Sequence, residues 1–132
     1  MDTDRMRWDE RWFAMPDSVA ATAPDVVSAH PELLDVISTS GLALDIACGL
    51  GAQALWLAER GLTVTALDVS SVAIDRLSLA AQPHRHQFHA KVWDTDEGLP
   101  PALTNLAVIV CQRYRSPALY GEFVSRLKVG GV

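Results

Sequence analysis

Residues 42–51 constrain the fold most, because a short apolar run there ends in two closely spaced glycines, Gly49 and Gly51. A helical pattern follows over residues 52–60, and Gly61 can close that helix. A glycine turn between a strand and a helix lets a ligand approach the backbone closely, and the helix start offers free amides to an anionic group. This stretch therefore predicts a ligand site at the end of a strand.

The rest of the chain alternates short β-branched runs with helical stretches, which favours a parallel sheet covered by helices. Strands are expected at residues 42–47, 62–67, 86–93 and 106–111. Helices are expected at residues 52–60, at 71–79 with Ser70 or Ser71 as the cap, and from Ser116 and Pro117 onward. The fold class is therefore α/β with a doubly wound sheet.

Residues 1–40 predict an N-terminal helical cap of two helices joined by a Pro- and Ala-rich connection. The first, at residues 4–13, places Trp8 and Trp12 on one face, because residues four apart are neighbours on a helix. The second, at residues 31–38, offers apolar side chains to the core.

Length and charge exclude several classes of protein. The chain has 132 residues, 49% of them apolar, which suits one globular domain. Its net charge is −5, and no cluster of Lys and Arg marks a nucleic-acid partner. Without a secretory signal or an apolar run that could span a membrane, we expect a cytoplasmic protein in which Cys48 and Cys111 are free thiols.

A metal site is not expected at the three clustered histidines. His84 and His86 would share one strand face, whereas His89 falls on the other.

Two acidic residues indicate the kind of ligand. Asp68 ends the second strand, where a carboxylate can accept hydrogen bonds from a ribose diol. The spacing Gly49-x-Gly51-x-x-Ala54 also fits a dinucleotide fingerprint, so an NAD-binding protein is one alternative. Asp45, inside the first strand, would repel a pyrophosphate and suits a cofactor with a cationic end.

The segment Asp45-Ile-Ala47-Cys48-Gly49-Leu-Gly51 resembles the first motif of class I S-adenosylmethionine-dependent methyltransferases, acid-x-Gly-x-Gly-x-Gly. Ala47 replaces the first glycine, which is a mild departure provided that position 47 keeps ordinary strand-end torsions. Together with Trp8-Asp-Glu-Arg-Trp12 and the run VTALDVSSVAIDRL, the motif is most similar to the thiopurine and tellurite-resistance type of small-molecule methyltransferases. The resemblance covers residues 8–131 and is faint over 80–106.

This resemblance implies S-adenosylmethionine as cofactor and a small molecule as methyl acceptor, and it assigns residues to both. Methyl transfer to a soft nucleophile needs mainly alignment and desolvation, so a dedicated base is not required. None stands out in the sequence. The implied cofactor contacts are Trp8 and Trp12 as a cover, Asp45 near the ammonium group, the backbone of Ala47, Cys48, Gly49 and Gly51 at the methionine end, Asp68 at the ribose, Val69 at the adenine, and Asp94, with Asp96 as its rival, at the adenine amino group. Arg113 and Tyr114 fall on the substrate side.

The resemblance also implies a seven-stranded sheet of order 3-2-1-4-5-7-6, of which this pattern supplies four strands in the order 3-2-1-4. Residues 128–131 match the turn before the fifth strand, so residues 41–132 are expected to form a partial cofactor-binding domain that is truncated at its C-terminus. The strand at 106–111 would be an unpaired edge, which predicts self-association. A degenerate, binding-only module is therefore a further alternative.

Overall fold

A computed structural model of the chain, which describes residues 2–17 and 19–132, contains a four-stranded parallel sheet. The strands are β1 (Leu42–Ile46), β2 (Thr63–Asp68), β3 (Phe88–Val92) and β4 (Leu106–Cys111). Their order, β3-β2-β1-β4, confirms the predicted α/β class and the predicted order. All pairs are parallel, so the carboxyl ends of the strands meet at one edge of the sheet.

Four of the five helices in the described residues lie at or near their predicted positions, and α2 is the exception. They are α1 (Asp2–Ala14), α2 (Asp25–Ala29), α3 (Ala52–Glu59), α4 (Ser71–Ala80) and α5 (Tyr120–Arg126). Ser70 caps α4 as expected, since its hydroxyl accepts a hydrogen bond from the Ala73 backbone N–H at 3.1 Å. Among the described residues, no helix combines the length and the apolar character that a membrane crossing requires.

The sheet separates two apolar layers, because side chains alternate along each strand. On one side, Ala43 and the strand residues beside it pack against α2, α3 and α4. On the other side, Leu44 and Ile46 pack with Leu99, Leu119 and the inner side of α5. The N-terminal region contributes to the first layer through Val27 and Ile37, which are both buried.

The predicted helix at residues 31–38 is wrong in kind. The chain forms the short helix α2 before it, and then a 3-10 turn at Pro31–Asp35. Arg60 explains why the turn goes no further, since its guanidinium donates to the carbonyls of Leu34 (2.6 Å) and Ile37 (2.9 Å). These carbonyls are satisfied by a residue distant in sequence, and a regular helix is not needed to pair them.

The edge of β4 is not unpaired over its first half, contrary to the prediction. The backbone N–H of Lys128 donates to the first carbonyl of the strand at 2.9 Å. Val132 then makes two backbone hydrogen bonds, donating to Ala107 (3.0 Å) and accepting from Ile109 (2.9 Å). The chain therefore returns alongside its own strand, and residues 112–132 leave only the end of β4 near Cys111 without such bonds.

The helix expected from Ser116 begins as a 3-10 turn, Pro117–Leu119, without a side-chain cap from Ser116, and continues as α5. Two of its apolar side chains, Tyr120 and Val124, are 48% and 75% exposed. The sheet formed by the described residues ends at β4, so it contains no further strand against which these two side chains could pack.

Candidate functional site

A cavity of about 520 Å³ lies at the carboxyl ends of the strands, where the glycine turn was expected to form a site. Its wall combines α1, the turn after β1, the end of β2, and the loops that follow β3 and β4. The residues on the wall are Asp4, Trp8, Arg11, Trp12, Ala47, Cys48, Gly49, Gln53, Leu67, Asp68, Val69, Trp93, Thr95, Asp96, Gln112, Arg113 and Tyr114. The structure thus brings nine of the twelve sequence-predicted site residues to one cavity; Asp45, Gly51 and Asp94 lie outside it.

The turn after β1 adopts left-handed backbone torsions at Ala47 (φ 55°), Gly49 (φ 57°) and Gly51 (φ 83°). The condition on which the replacement of glycine by Ala47 would be mild, ordinary strand-end torsions, is therefore not met. The chain must reverse between β1 and α3 within a few residues, and an alanine supplies the left-handed step at which its Cβ is crowded. Ala47 consequently carries backbone strain where a glycine would carry none.

Gly49 and Gly51 are constrained by different neighbours. A Cβ at Gly49 would lie 2.8 Å from the ring of Trp12, so this glycine lets the indole rest on the cavity floor. A Cβ at Gly51 would lie 2.3 Å from the side chain of Leu77, which is on α4. Gly51 therefore permits the close approach of the turn to Leu77, and it does not line the cavity.

Asp68 joins the end of β2 to the glycine turn. Its Oδ2 accepts a hydrogen bond from the Gly49 backbone N–H (2.8 Å), and its Oδ1 accepts one from the Ser70 N–H (2.9 Å). Burial raises the pKa of this carboxyl, while the backbone amides act in the opposite direction. Each carboxylate oxygen can accept a second hydrogen bond, so Asp68 retains acceptor capacity towards the cavity.

Asp45 lies behind the turn. It is 2% exposed, and its Oδ2 has no hydrogen-bond partner among the described residues. Burial, together with the nearby Asp68 carboxylate, raises the pKa of Asp45 from 3.8 to about 8, while a hydrogen bond from the Ala54 backbone at the start of α3 opposes the shift. A carboxyl group in this position retains its proton near neutral pH unless a cation approaches.

Helix α1 covers the cavity with an aromatic pair. Trp8 and Trp12 stack with ring centroids 5.8 Å apart and planes inclined by 18°. The guanidinium of Arg11 lies 5.3 Å from the centroid of the Trp8 ring and 5.6 Å from that of Trp12. A cation over both rings fixes their orientation, as cation–π contacts do. The predicted placement of the two tryptophans on one helix face is what brings them to the cavity.

The loop after β3 places Asp96, and not Asp94, on the cavity wall. Asp94 is used locally, because its Oδ1 accepts a hydrogen bond from the Asp96 N–H (2.9 Å) and begins the 3-10 turn Thr95–Glu97. Thr95 in turn shares a hydrogen bond of 2.8 Å with the Tyr114 hydroxyl. The loops after β3 and β4 are therefore linked across the cavity wall.

Arg113 follows β4 in a left-handed conformation (φ 55°), which is unusual for a residue other than glycine. Its guanidinium lies 3.2 Å from Asp25, and both side chains are largely exposed. An exposed pair of this kind contributes little to stability. Arg113 is thus weakly held and can reorient towards a ligand.

The two cysteines are free, as expected. Cys48 lies on the cavity wall, while Cys111 ends β4 opposite Ile46 and contacts the Tyr114 carbonyl through its sulfur at 3.4 Å. Burial is the main cause that raises the pKa of both thiols, and the Asp45 carboxylate raises it further. Neither thiol is activated as a nucleophile.

Asp96, which the sequence offered only as the rival of Asp94, is the acid on the wall, and the sequence analysis did not name seven further wall residues: Asp4, Arg11, Gln53, Leu67, Trp93, Thr95 and Gln112. Helical periodicity could have identified two of them, because Asp4 and Arg11 share a face of α1 with Trp8. The others depend on how loops distant in sequence approach one another, which no local pattern reports.

Comparison with known proteins identifies similar chains. Residues 43–131 match a family described as a methyltransferase domain. A TehB-like SAM-dependent methyltransferase from Corynebacterium glutamicum has a TM-score of 0.60 and 16% identity, over 99% of this chain and 71% of that one. A SAM-dependent methyltransferase from Geobacter sulfurreducens, in complex with S-adenosyl-L-homocysteine, has a TM-score of 0.68 and 16% identity, over 95% of this chain and 52% of that one.

A third similar structure is geranyl diphosphate C-methyltransferase from Streptomyces coelicolor A3(2), in complex with Mg²⁺, geranyl diphosphate and S-adenosyl-L-homocysteine. Its TM-score is 0.67 at 17% identity, over 96% of this chain and 61% of that one. Among curated proteins, none matches this chain. The chain spans about half the length of most of the solved structures it matches.

Proposed function

The chain belongs to the methyltransferase-domain family, and we propose that its cavity binds S-adenosylmethionine and serves methyl transfer to a small molecule. The observation that carries the proposal is the contact between Asp68 and the Gly49 N–H at 2.8 Å. It joins an acid at the end of β2 to a glycine turn after β1, and both lie on one cavity wall. This pairing suits a ligand with a ribose diol and a chain that runs along the turn.

The wall offers a separate group for each part of such a ligand. Asp68 retains acceptor capacity for the ribose hydroxyls, and Val69 beside it supplies an apolar contact for the adenine. Asp96, which lies on the cavity wall, is the acid proposed to accept a hydrogen bond from the adenine amino group. Asp94 is the alternative, and its use would require the loop to rearrange. The backbone of residues 47–49 faces the methionine end under the Trp8 and Trp12 cover.

Charge favours a cationic ligand over a dinucleotide. Three acidic side chains (Asp4, Asp68 and Asp96) and two arginines line the cavity, and the buried Asp45 lies behind the turn. A pyrophosphate at the turn would bring negative charge towards the Asp68 carboxylate, and it would keep the Asp45 carboxyl protonated, whereas a cation would favour its ionised form. A sulfonium with an ammonium group would meet opposite charge there. The NAD-binding alternative is therefore disfavoured by the same residues that support the sulfonium.

The bound cofactor would supply a methyl group on sulfur, which passes to a nucleophile as the carbon–sulfur bond breaks. The residues of the chain need to align the acceptor and to exclude water. Helix α1, which covers the cavity, is positioned to exclude water. Arg113 and Tyr114 are the proposed acceptor-side residues, since both lie on the wall after β4. A small-molecule acceptor is supported by the similar structure that holds geranyl diphosphate. The alternative without turnover is a module that binds the cofactor only.

Thermal melting with each ligand tests the proposal. S-adenosylmethionine or S-adenosylhomocysteine should raise the melting temperature, whereas NAD should not. At a ligand concentration of a hundred times the Kd, binding adds about 2.7 kcal/mol to the free energy of unfolding. Asp68→Asn should abolish most of that shift, and Asp75→Asn, at an exposed position of α4, should leave it intact. A shift with NAD alone, or with none of the three, would overturn the assignment.

A further inference from the structure

Helix α1 forms a wall of the cavity without being anchored by a hydrophobic face. None of its thirteen described residues is buried. A helix that buries so little apolar surface gains little from packing, and isolated helices of this length are marginal in water. Its position over the cavity therefore depends on polar contacts with the body of the protein, in addition to the packing of the partly buried Trp12 ring on Gly49.

Two such contacts lie along the first part of α1, and both reach the segment between β2 and α4. Asp9 accepts hydrogen bonds from the Ser70 hydroxyl and from the Val72 backbone N–H (3.3 Å), so it satisfies a free amide at the start of α4. Arg5 donates from Nε to the Val69 carbonyl at 3.2 Å.

Arg76 on α4 binds the backbone at the C-terminal end of α1. Its Nη1 donates to the carbonyls of Trp12 and Met15 (2.9 Å for the latter), and its Nη2 donates to the carbonyl of Pro16. The Arg76 side chain is 18% exposed, and Asp17 lies 3.6 Å from it. Carbonyls at a helix C-terminus lack intrahelical partners, and a guanidinium satisfies them while complementing the helix dipole.

The hydrogen bond from Arg76 connects α4 to the ligand site through Trp12. Arg76 binds the carbonyl of Trp12, and the ring of Trp12 lies against Gly49 on the cavity floor while stacking on Trp8. We propose that Arg76, although it lies outside the cavity, is a positioning residue for the cofactor site that docks α1 so that the two indoles cover the glycine turn. This inference rests on the proposed function for its ligand, and on the described contacts for its geometry.

An arginine is needed at this position because three carbonyls converge on one side chain. The planar guanidinium presents five N–H donors in a rigid fork, whereas the ammonium of lysine is a point charge with three. Arg76→Lys should keep some of the docking, and Arg76→Gln should lose most of it. Arg85 is a matched control in the turn after α4, since it is exposed and donates only to the Gln82 carbonyl at 3.4 Å.

Docking of α1 can be measured without any ligand. Trypsin cleaves after arginine, and Arg5, Arg7 and Arg11 lie on α1, so undocking exposes three cleavage sites. Arg76→Gln should release α1 to trypsin faster than the wild-type protein and Arg85→Gln, with Arg76→Lys between them. Circular dichroism and a thermal melt on each variant establish that the sheet domain is folded at the assay temperature.

The ligand measurement is the Kd for S-adenosylhomocysteine by calorimetry on the same four proteins. If Arg76→Gln leaves α1 docked in about one molecule in ten, the apparent affinity should fall about tenfold. Arg76→Lys should recover part of it, and Arg85→Gln should match the wild-type protein. A merely structural role for Arg76 would lower the melting temperature and leave the Kd of the folded variant unchanged.

The outcomes separate this inference from the proposed function. Wild-type protein that fails to bind S-adenosylhomocysteine, while Arg76→Gln still exposes α1 to trypsin, contradicts the ligand and leaves the docking role supported. Equal trypsin rates for Arg76→Gln and Arg85→Gln overturn the docking role. An unchanged Kd in a variant whose α1 is released overturns the link between docking and the cofactor site.

Discussion

Asp45 sets up a specific dependence of stability on pH. Its carboxyl is 2% exposed, its Oδ2 is unpartnered among the described residues, and burial raises its pKa from 3.8 to about 8. Because the folded-state pKa is above the unfolded value, the folded protein binds more protons than the unfolded chain between these two pH values. Stability is therefore lost as pH rises from about 4 to about 8, and this loss is absent below pH 4.

The magnitude follows from the shift. Each pKa unit corresponds to about 1.4 kcal/mol, so by pH 7 the native protein has lost about 4 kcal/mol through Asp45. Asp45→Asn removes that loss, but its amide nitrogen replaces the unpartnered oxygen and has no acceptor, which costs about 1–3 kcal/mol. The variant should therefore be more stable than the wild-type protein at pH 7 and should have lost its advantage at pH 5.

Urea unfolding at several pH values between 5 and 8 is the assay. The difference in unfolding free energy between Asp45→Asn and wild type should grow by up to about 1.4 kcal/mol per pH unit. Asp75→Asn, which removes the same charge from the surface of α4, should follow the wild-type curve. Parallel curves for Asp45→Asn and wild type would refute the claim that Asp45 titrates near pH 8 in the folded protein.

Three further predictions concern backbone strain, packing and the edge of β4. Ala47→Gly should raise the unfolding free energy by up to about 1 kcal/mol in urea, since the left-handed torsion then costs nothing, whereas Ala80→Gly on α4 should lower it. Gly51→Ala should lower the melting temperature by several degrees, because its Cβ would lie 2.3 Å from Leu77; an unchanged melt would show that α4 yields easily. Sedimentation at high concentration should reveal self-association through the end of Leu106–Cys111, and a monomer throughout would contradict it.

The sheet was predictable because its strands are local and strongly patterned. The run Leu106–Cys111 is apolar throughout, and the strand at Leu42–Ile46 ends in a glycine turn that only a left-handed backbone can complete. Local chemistry also limited the cap of α4 to Ser70 or Ser71, since a hydroxyl before a helical pattern satisfies the first amides. These features are fixed by neighbours in sequence, so the sequence alone sufficed for them.

The parts that escaped prediction depend on residues distant in sequence. The 3-10 turn at Pro31–Asp35 is completed by Arg60, and the edge of β4 is covered by Val132. The torsion at Ala47 follows from the geometry of the whole turn, and an alanine gives no local sign of it. The docking of α1 by Arg76 likewise depends on contacts with carbonyls about sixty positions earlier, which no periodicity encodes.

The central claim is that the cavity between α1 and the glycine turn binds S-adenosylmethionine. Isothermal titration of the folded chain with S-adenosylhomocysteine tests it most directly, because this ligand carries the adenosine and amino-acid groups that Asp68 and the turn are proposed to hold, and cannot react. We predict saturable binding at one site per chain, weakened strongly by Asp68→Asn. The absence of binding heat at several temperatures, in a sample shown to be folded, would contradict the account.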